Sequence, residues 1–220
     1  MSMSPKHALY VEFASVARAV GHPHRLEIIE QLAQGERSVD ALAERVRLSI
    51  ANASQHLQQL RRVGLVLSRR EGKFVLYRLA DDHMALNLVA SLRFVAEQNI
   101  AEVDKIVRDY FAKRDDMEPV ARTELLERIK AGLVTVLDVR PADEFTMSHL
   151  PGAMNMQLSE IESRVSEFDP TREIIAYCRG AYCVLSFEAV AKLRARGLKA
   201  RRLEDGLPEW KAAGLPFETA

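Results

Sequence analysis

The chain has 220 residues, 31 of them Lys or Arg and 31 Asp or Glu, enough for one large or two small domains with no net charge. At 48% hydrophobic and 28% charged it is composed like an ordinary globular protein with a core to bury. No run of 18 apolar residues occurs, and Met1 to His7 lack the charged-then-apolar pattern of a secretory signal. A cytoplasmic location without a membrane partner is therefore expected.

In chain order, residues 7 to 33 read as helix, with Val16, Val20, Leu26, Ile29 and Leu32 near helical spacing. Gly21-His22-Pro23 should break it in two. Ser38 can cap a short helix from Val39 to Val46, and Arg47-Leu48 makes a tight connection. Ser49 caps a longer helix to about Val63, whose inner stripe is Leu57, Leu60 and Val63. Residues 65 to 70 and 74 to 79 are strand-like, and Glu71-Gly72-Lys73 between them reads as a hairpin tip. A long helix is expected from Asp82 to Arg114. Leu86, Val89, Phe94, Ile100, Val103, Ile106, Val107 and Phe111 give it apolar residues on more than one side. That suits a homodimer seam or packing against its own domain.

The charged run Lys113-Arg114-Asp115-Asp116, with Met117-Glu118-Pro119 after it, is the linker candidate. It divides the chain into residues 1–114 and 115–220. Thr123 should cap a helix to Ala131. Val134 to Val139 and Ile174 to Tyr177 read as buried strands of a parallel sheet, and Val184 to Arg196 as a helix. The fold class that follows is an α+β domain of two short helices and a hairpin, then an α/β domain with a mainly parallel sheet.

Charge is unevenly spread. Between Arg37 and Arg78 lie nine Lys or Arg and three acids, Asp40, Glu44 and Glu71. Such a patch marks either a polyanion partner or a solvated face. The helix from Ser49 carries Asn52, Ser54, Gln55, His56 and Gln59, short polar side chains of the kind that reach base edges in a major groove. Arg69, Arg70 and Lys73 on the hairpin would grip backbone phosphates.

Residues 48 to 60, Leu48-Ser49-Ile50-Ala51-Asn52 through Gln59-Leu60, together with Gly64-Leu65-Val66 resemble the ArsR family of bacterial repressors. So do Gly21 to Leu26, Arg69 to Lys73 and Tyr77-Arg78-Leu79. The resemblance covers about the first 110 residues. It implies a winged helix-turn-helix homodimer on double-stranded DNA, at an imperfect palindromic operator. Many such repressors sense metals, but residues 1 to 177 contain no cysteine, so thiolate sites for soft metals are absent. Asp81, Asp82 and His83 lack a later His on their helix and read as a solvated helix start. No metal and no cofactor are expected.

The chain's two cysteines, Cys178 and Cys183, lie five positions apart, a short loop for a structural staple. In a reducing compartment they should rest as thiols. Leu137-Asp138-Val139-Arg140, Glu144-Phe145, His149 to Asn155, Tyr177 to Cys183 and Asp205 to Trp210 resemble, in order, the motifs of the rhodanese family over roughly residues 120 to 218. The resemblance makes Cys178 the nucleophile of the loop, able to carry sulfur as a persulfide, and implies sulfurtransferase activity. Arg179 would add positive charge beside it. Gly180, Ala181 and Tyr182 complete the loop, and Asp138 and Arg140 support it. His149 would be a hydrogen-bonded support and Trp210 core or pocket rim. Two positions depart from the family: Gly180 is third in the loop rather than fourth, and Cys183 stands where a basic residue is common. A second thiol favours internal chemistry, in which Cys183 attacks a persulfide or oxidised Cys178. Position 184 is Val, which argues against phosphoryl or arsenate chemistry.

Three functions remain open on the sequence. They are a repressor responding to sulfur or redox species such as a persulfide, polysulfide or thiosulfate; a sulfurtransferase tethered to DNA; and a constitutive DNA-binding protein with an inert second domain.

Overall fold

The computed structural model describes residues 4–112 and 118–219, which fall into two compact units, residues 1–89 and 90–220. The boundary expected at 114/115 lies outside the described residues. No helix among the described residues is long and apolar enough to cross a membrane.

The first unit opens with α1 (Pro5–Val20), whose N-terminus is capped by the Ser4 hydroxyl accepting from the His7 amide. Gly21 and Pro23 separate it from α2 (Pro23–Ala33), as their backbone limits require. A two-residue strand, β1 (Arg37–Ser38), leads into α3 (Val39–Arg45), capped by Ser38. Arg47, at φ 54°, turns the chain into α4 (Ile50–Arg62), which Ser49 caps. Gly64, at φ 75°, ends that turn in the left-handed region that a side chain disfavours. The hairpin β2 (Val66–Glu71) and β3 (Phe74–Leu79) pairs antiparallel, and β1 adds to β3, giving the order β1-β3-β2. Ile28, Ile29, Leu32, Leu42, Leu57, Leu60, Val66 and Leu79 fill the core between helices and sheet. Each is worth about 1.5–3 kcal/mol of transfer free energy.

The expected helix from Asp82 to Arg114 is interrupted. It runs as α5 (Asp82–Asn99), breaks at Ile100, and resumes as α6 (Ala101–Ile106) and a π-helical segment, Val107–Ala112. At the break Ile100 is extended (φ −112°, ψ 102°), and the Asn99 side-chain amide donates to the Val95 carbonyl at 2.8 Å. A local side-chain bond of this kind competes with helix continuation. The compact units divide inside α5, between Val89 and Ala90.

The second unit continues with α7 (Arg122–Lys130), β4 (Val134–Asp138), α8 (Ala142–Met147), β5 (Met154–Asn155), α9 (Ile161–Arg164), β6 (Glu173–Tyr177), α10 (Val184–Ala195), β7 (Ala200–Arg202) and α11 (Leu207–Ala212). Helix α7 starts two positions earlier than expected: Ala121, not Thr123, occupies the N-cap, with no side-chain cap bond. The four strands are all parallel in the order β5-β4-β6-β7. Alternation along the strands separates the two cores. Ile174, Ala176 and Cys178 join Leu137, Met156, Val190 and Leu193 on one face; Ile175 and Tyr177 join Val136, Leu150, Leu203 and Trp210 on the other.

Candidate functional site

Strand β6 ends at Tyr177 and α10 begins at Val184, so the intervening loop lies beyond the carboxyl edge of a parallel sheet, where open α/β folds bind ligands. Within it Cys178 and Cys183 form a disulfide, with Cα atoms 6.1 Å apart. The pair stands bridged here, whereas thiols are the form a reducing compartment favours. The reason is local: a strand-to-helix reversal with the Cys183 amide donating to the Gly180 carbonyl at 3.1 Å brings the Cα atoms into bridging range. A ring this short stabilises the fold by only about 2 kcal/mol. Both residues are buried, Cys178 1% and Cys183 9% exposed, among apolar neighbours of the first face. Gly180 and Ala181 are half-buried, and Tyr182 is exposed.

Arg179 does not supply free charge to the loop. Its guanidinium is held by the fully buried Glu144 carboxylate, with Nη2–Oε1 at 2.8 Å and Nε–Oε2 at 3.0 Å. A bidentate pair of this kind fixes geometry. Arg179 is therefore a clamp that fastens the loop to α8, and the expectation that it presents a cation to the cysteine is corrected. The motif Glu144-Phe145 was visible in the sequence; its partner was not.

Asp138 and Arg140 do pair, and they are both fully buried. Asp138 Oδ1 accepts from the Arg140 amide at 2.9 Å and from its Nε at 3.0 Å, while Oδ2 accepts from Nη2 at 2.5 Å. The Tyr177 hydroxyl also donates to Oδ2 at 2.5 Å, a contact that parallel register makes inevitable because Asp138 faces Tyr177. That hydroxyl accepts from the Leu150 amide at 3.0 Å. Burial, then the neighbouring Asp138 charge, holds the Tyr177 phenol well above its ordinary pKa, so it remains a donor. His149 is the support expected: its Nδ1 bonds the Phe145 carbonyl at 2.9 Å and its ring stacks on Phe145. Trp210 is fully buried, its indole donating to the Pro216 carbonyl at 2.7 Å.

The loop is closed from the far side by a residue that the motif reading did not single out. A Cβ on Gly206 would lie 2.3 Å from the Arg179 carbonyl carbon and 2.3 Å from the Gly180 nitrogen. The next residue, Leu207, donates its amide to the Cys178 carbonyl at 3.2 Å. Glu209, whose carboxyl is pushed up by burial, accepts from the Gly206 amide at 3.0 Å.

In the first unit, Asn52, Gln55 and Gln59 lie exposed on α4, opposite buried Ala53, Leu57 and Leu60. Two other α4 candidates are only partly presented. Ser54 is half-buried, and its hydroxyl accepts from Gln58 at 3.4 Å. His56 turns toward α2: its ring lies 4.5 Å from His22 and its Nδ1 3.5 Å from Arg25. Burial, then the His22 charge, lowers its pKa and favours the neutral ring. On the hairpin, Arg69 is held by the Glu36 carboxylate, with Nε 2.9 Å from both oxygens, and also by Glu71. Arg70 Nε donates to the Gly72 carbonyl at 3.2 Å, and Lys73 sits 5.2 Å from the centre of the Phe74 ring. Arg37 is buried, so the basic patch is smaller than the sequence count suggests. Asp81 caps α5 by accepting from the Met84 amide at 2.8 Å. Among the described residues no group of three or more His, Cys, Asp or Glu is arranged to hold a metal ion.

Comparison with known proteins matches residues 20–69 to a Helix-turn-helix domain family and residues 121–213 to the Rhodanese-like domain family. An HTH-type transcriptional regulator of Mycobacterium tuberculosis is 42% identical over 213 residues, covering 97% of this chain and 93% of its own length. Among solved structures, the homodimeric winged helix-turn-helix DNA-binding domain of a Mycobacterium bovis protein is 37% identical over 46% of this chain and 92% of its own, with a TM-score of 0.40. A rhodanese-related protein from Thermoplasma volcanium is 26% identical over 47% of this chain and 100% of its own, with a TM-score of 0.43.

Proposed function

The chain belongs to the ArsR-type helix-turn-helix transcriptional regulators that carry a C-terminal rhodanese-like domain, and from that premise we propose that the state of Cys178 and Cys183 sets its affinity for DNA. The observation that carries this reading is the bond between the chain's only two cysteines, one of them at the loop position where a substrate-binding cation is common. The chemistry balances with a persulfide donor. The Cys178 thiolate attacks the outer sulfur of R–S–SH, giving Cys178–S–SH and R–S⁻. The Cys183 thiolate then attacks the inner sulfur at Cys178, the disulfide forms, and hydrosulfide leaves with the bonding pair. The two thiols are oxidised and the transferred sulfur is reduced. A cellular dithiol returns the pair to its starting state.

The reactive loop supports this reading over steady turnover of thiosulfate, because Arg179 is committed to Glu144 and a thiol stands ready to consume the persulfide. The DNA-reading surface is α4, with Asn52, Gln55 and Gln59 toward the groove and Arg70 and Lys73 toward phosphates. Exposed Leu9, Tyr10 and Phe13 on α1, and exposed Leu92, Phe94 and Val95 on α5, favour a homodimer.

Treating the reduced protein with an organic persulfide should release one equivalent of sulfide per chain. It should change operator affinity by between about five- and 150-fold, the range of ordinary allosteric coupling. Cys183→Ser should instead retain a persulfide on Cys178, visible by mass spectrometry, and release none. Unchanged affinity in the native protein would overturn the proposal. Sustained thiocyanate production from thiosulfate and cyanide would favour the tethered sulfurtransferase.

A second expectation concerns the DNA half. Measured across a library of duplexes, Gln55→Ala should cost about 1–3 kcal/mol at one base position and relax preference there. Lys73→Ala should weaken all duplexes alike and reduce the salt slope by about 1. If neither changes binding, α4 and the hairpin are not the DNA-reading surface.

A further inference from the structure

The loop that holds the cysteines makes a polar contact with α5 through the residue immediately before Cys183. The Tyr182 hydroxyl donates to Glu97 Oε1 at 2.8 Å, and the same carboxylate oxygen lies 3.6 Å from Arg93 Nε one turn back on the helix. The Tyr182 ring lies 5.2 Å from Phe111, which in turn lies 4.8 Å from Phe187 on the first turn of α10. Burial, then the bond to Glu97, pushes the phenol up to about 12, so it remains a donor throughout the physiological range.

Two features make this contact conditional. Tyr182 sits inside the ring closed by the Cys178–Cys183 bond, so the disulfide restricts where its backbone can place the side chain. Beside it opens a polar cavity of about 210 Å³, lined by Arg93, Glu97, Ala181, Arg202, Glu204 and Asp205 as well as Tyr182 itself. A tyrosine released from Glu97 therefore has open space lined by polar groups to move into rather than a packed wall. When a dithiol reductant delivers two electrons and two protons to the pair and leaves as its own disulfide, the covalent constraint disappears. What then holds Tyr182 is one exposed hydrogen bond to α5 and one ring contact with Phe111.

We infer that Tyr182 is the residue that reports the state of the cysteine pair to α5, by holding Glu97 when the disulfide is closed and letting it go when the pair is reduced. Helix α5 is the element that runs out of the first compact unit and into the second, so a change in the order of its residues 90–99 acts on the segment that joins the two. The inference rests on the proposed reading that the pair cycles between disulfide and dithiol, and it names the positioning residue through which that cycle is felt.

The test is amide hydrogen exchange of residues 90–99 in the full chain, in the disulfide form and after reduction by dithiothreitol, with the redox state confirmed by mass spectrometry. Exchange should be roughly two- to tenfold slower in the disulfide form, the worth of one hydrogen bond. Tyr182→Phe keeps the ring and removes the hydroxyl, and should abolish the difference. Glu97→Ala, which lies outside the loop, should abolish it as well, whereas Glu97→Gln keeps an acceptor oxygen and should restore it. Equal exchange in the two forms of the native chain would overturn the inference, as would a difference that survives in Tyr182→Phe or Glu97→Ala. DNA affinity measured on the same samples reads the proposed function separately. An exchange difference without an affinity difference supports the Tyr182 contact and sinks the sensing role.

Discussion

Asp138→Ala is expected to destabilise the second unit by about 3–5 kcal/mol, the usual cost of stranding one member of a buried ion pair. Arg140 has no exposed surface; Asp138 is its hydrogen-bonded counter-charge, the Glu144 carboxylate adds to the field around it, and the Ser148 carbonyl accepts from Nη2 at 2.7 Å. Removing the carboxylate takes from the buried guanidinium its hydrogen-bonded counter-charge and from the Tyr177 hydroxyl its acceptor at the same time. Asp138→Asn keeps one acceptor oxygen, enough for the Arg140 amide or the Tyr177 hydroxyl but not both, and loses the charge, so it should fall between alanine and the native chain. Urea unfolding followed by tryptophan fluorescence makes the measurement specific, since Trp210 is the chain's one tryptophan and is buried in this unit. A loss under about 1 kcal/mol for Asp138→Ala would mean that the pair is not the keystone its burial implies. Replacing both residues together by apolar ones of similar volume should cost far less than either single change.

The second large effect is expected from Gly206→Ala. The backbone there is ordinary extended chain, φ −114° and ψ −175°, so the requirement for glycine is one of space and not of conformation. The added methyl would overlap the backbone of Arg179 and Gly180, atoms that cannot rotate away. Either α11 retreats, breaking the Leu207–Cys178 bond, or the active loop moves off the sheet edge. Overpacking of this kind costs about 1–3 kcal/mol. The proposed reaction of Cys178 with a persulfide should be lost as well, because the position of Cys178 is set by the same contact. Gly180→Ala is the internal comparison: its Cβ would meet only Glu209 Oε1, at 3.6 Å, an ordinary van der Waals distance. If the two alanine variants show the same melting temperature and the same sulfide release, the backbone clamp is not what fixes the loop.

These two sites show what was legible and what was not. The Asp138-Arg140 pair could be anticipated because the rhodanese resemblance implies a supporting role for both residues. Gly206 could not, because its neighbours in space, Arg179 and Gly180, are more than twenty positions away and nothing in Asp205-Gly206-Leu207 records their approach. Arg179 fails for the same reason, since its partner Glu144 lies 35 positions earlier. His56 has the spacing of an outward residue on α4 yet packs on His22, because the N-terminus of α2 meets α4 there, a contact between helices that helical spacing does not record. The strands β1, β5 and β7 hold two or three residues each, too few to express a period of two. The interruption at Ile100 coincides with an Asn99 side-chain bond to the Val95 carbonyl, which no periodicity encodes.

By itself the sequence determined the order of the two domains, the capped helices α3 and α4, the hairpin between Val66 and Leu79, the two central parallel strands, and the placement of both cysteines at a strand-to-helix loop. All of these are set by interactions between residues a few positions apart: caps, turns, alternation and helical spacing. Only the tertiary structure decided which charges are spent on partners, which glycine is required, how Tyr182 meets Glu97, and where the long helix breaks. Those outcomes depend on which surfaces come together when the elements pack, and the energy of a buried pair or a close backbone approach exists only once they have.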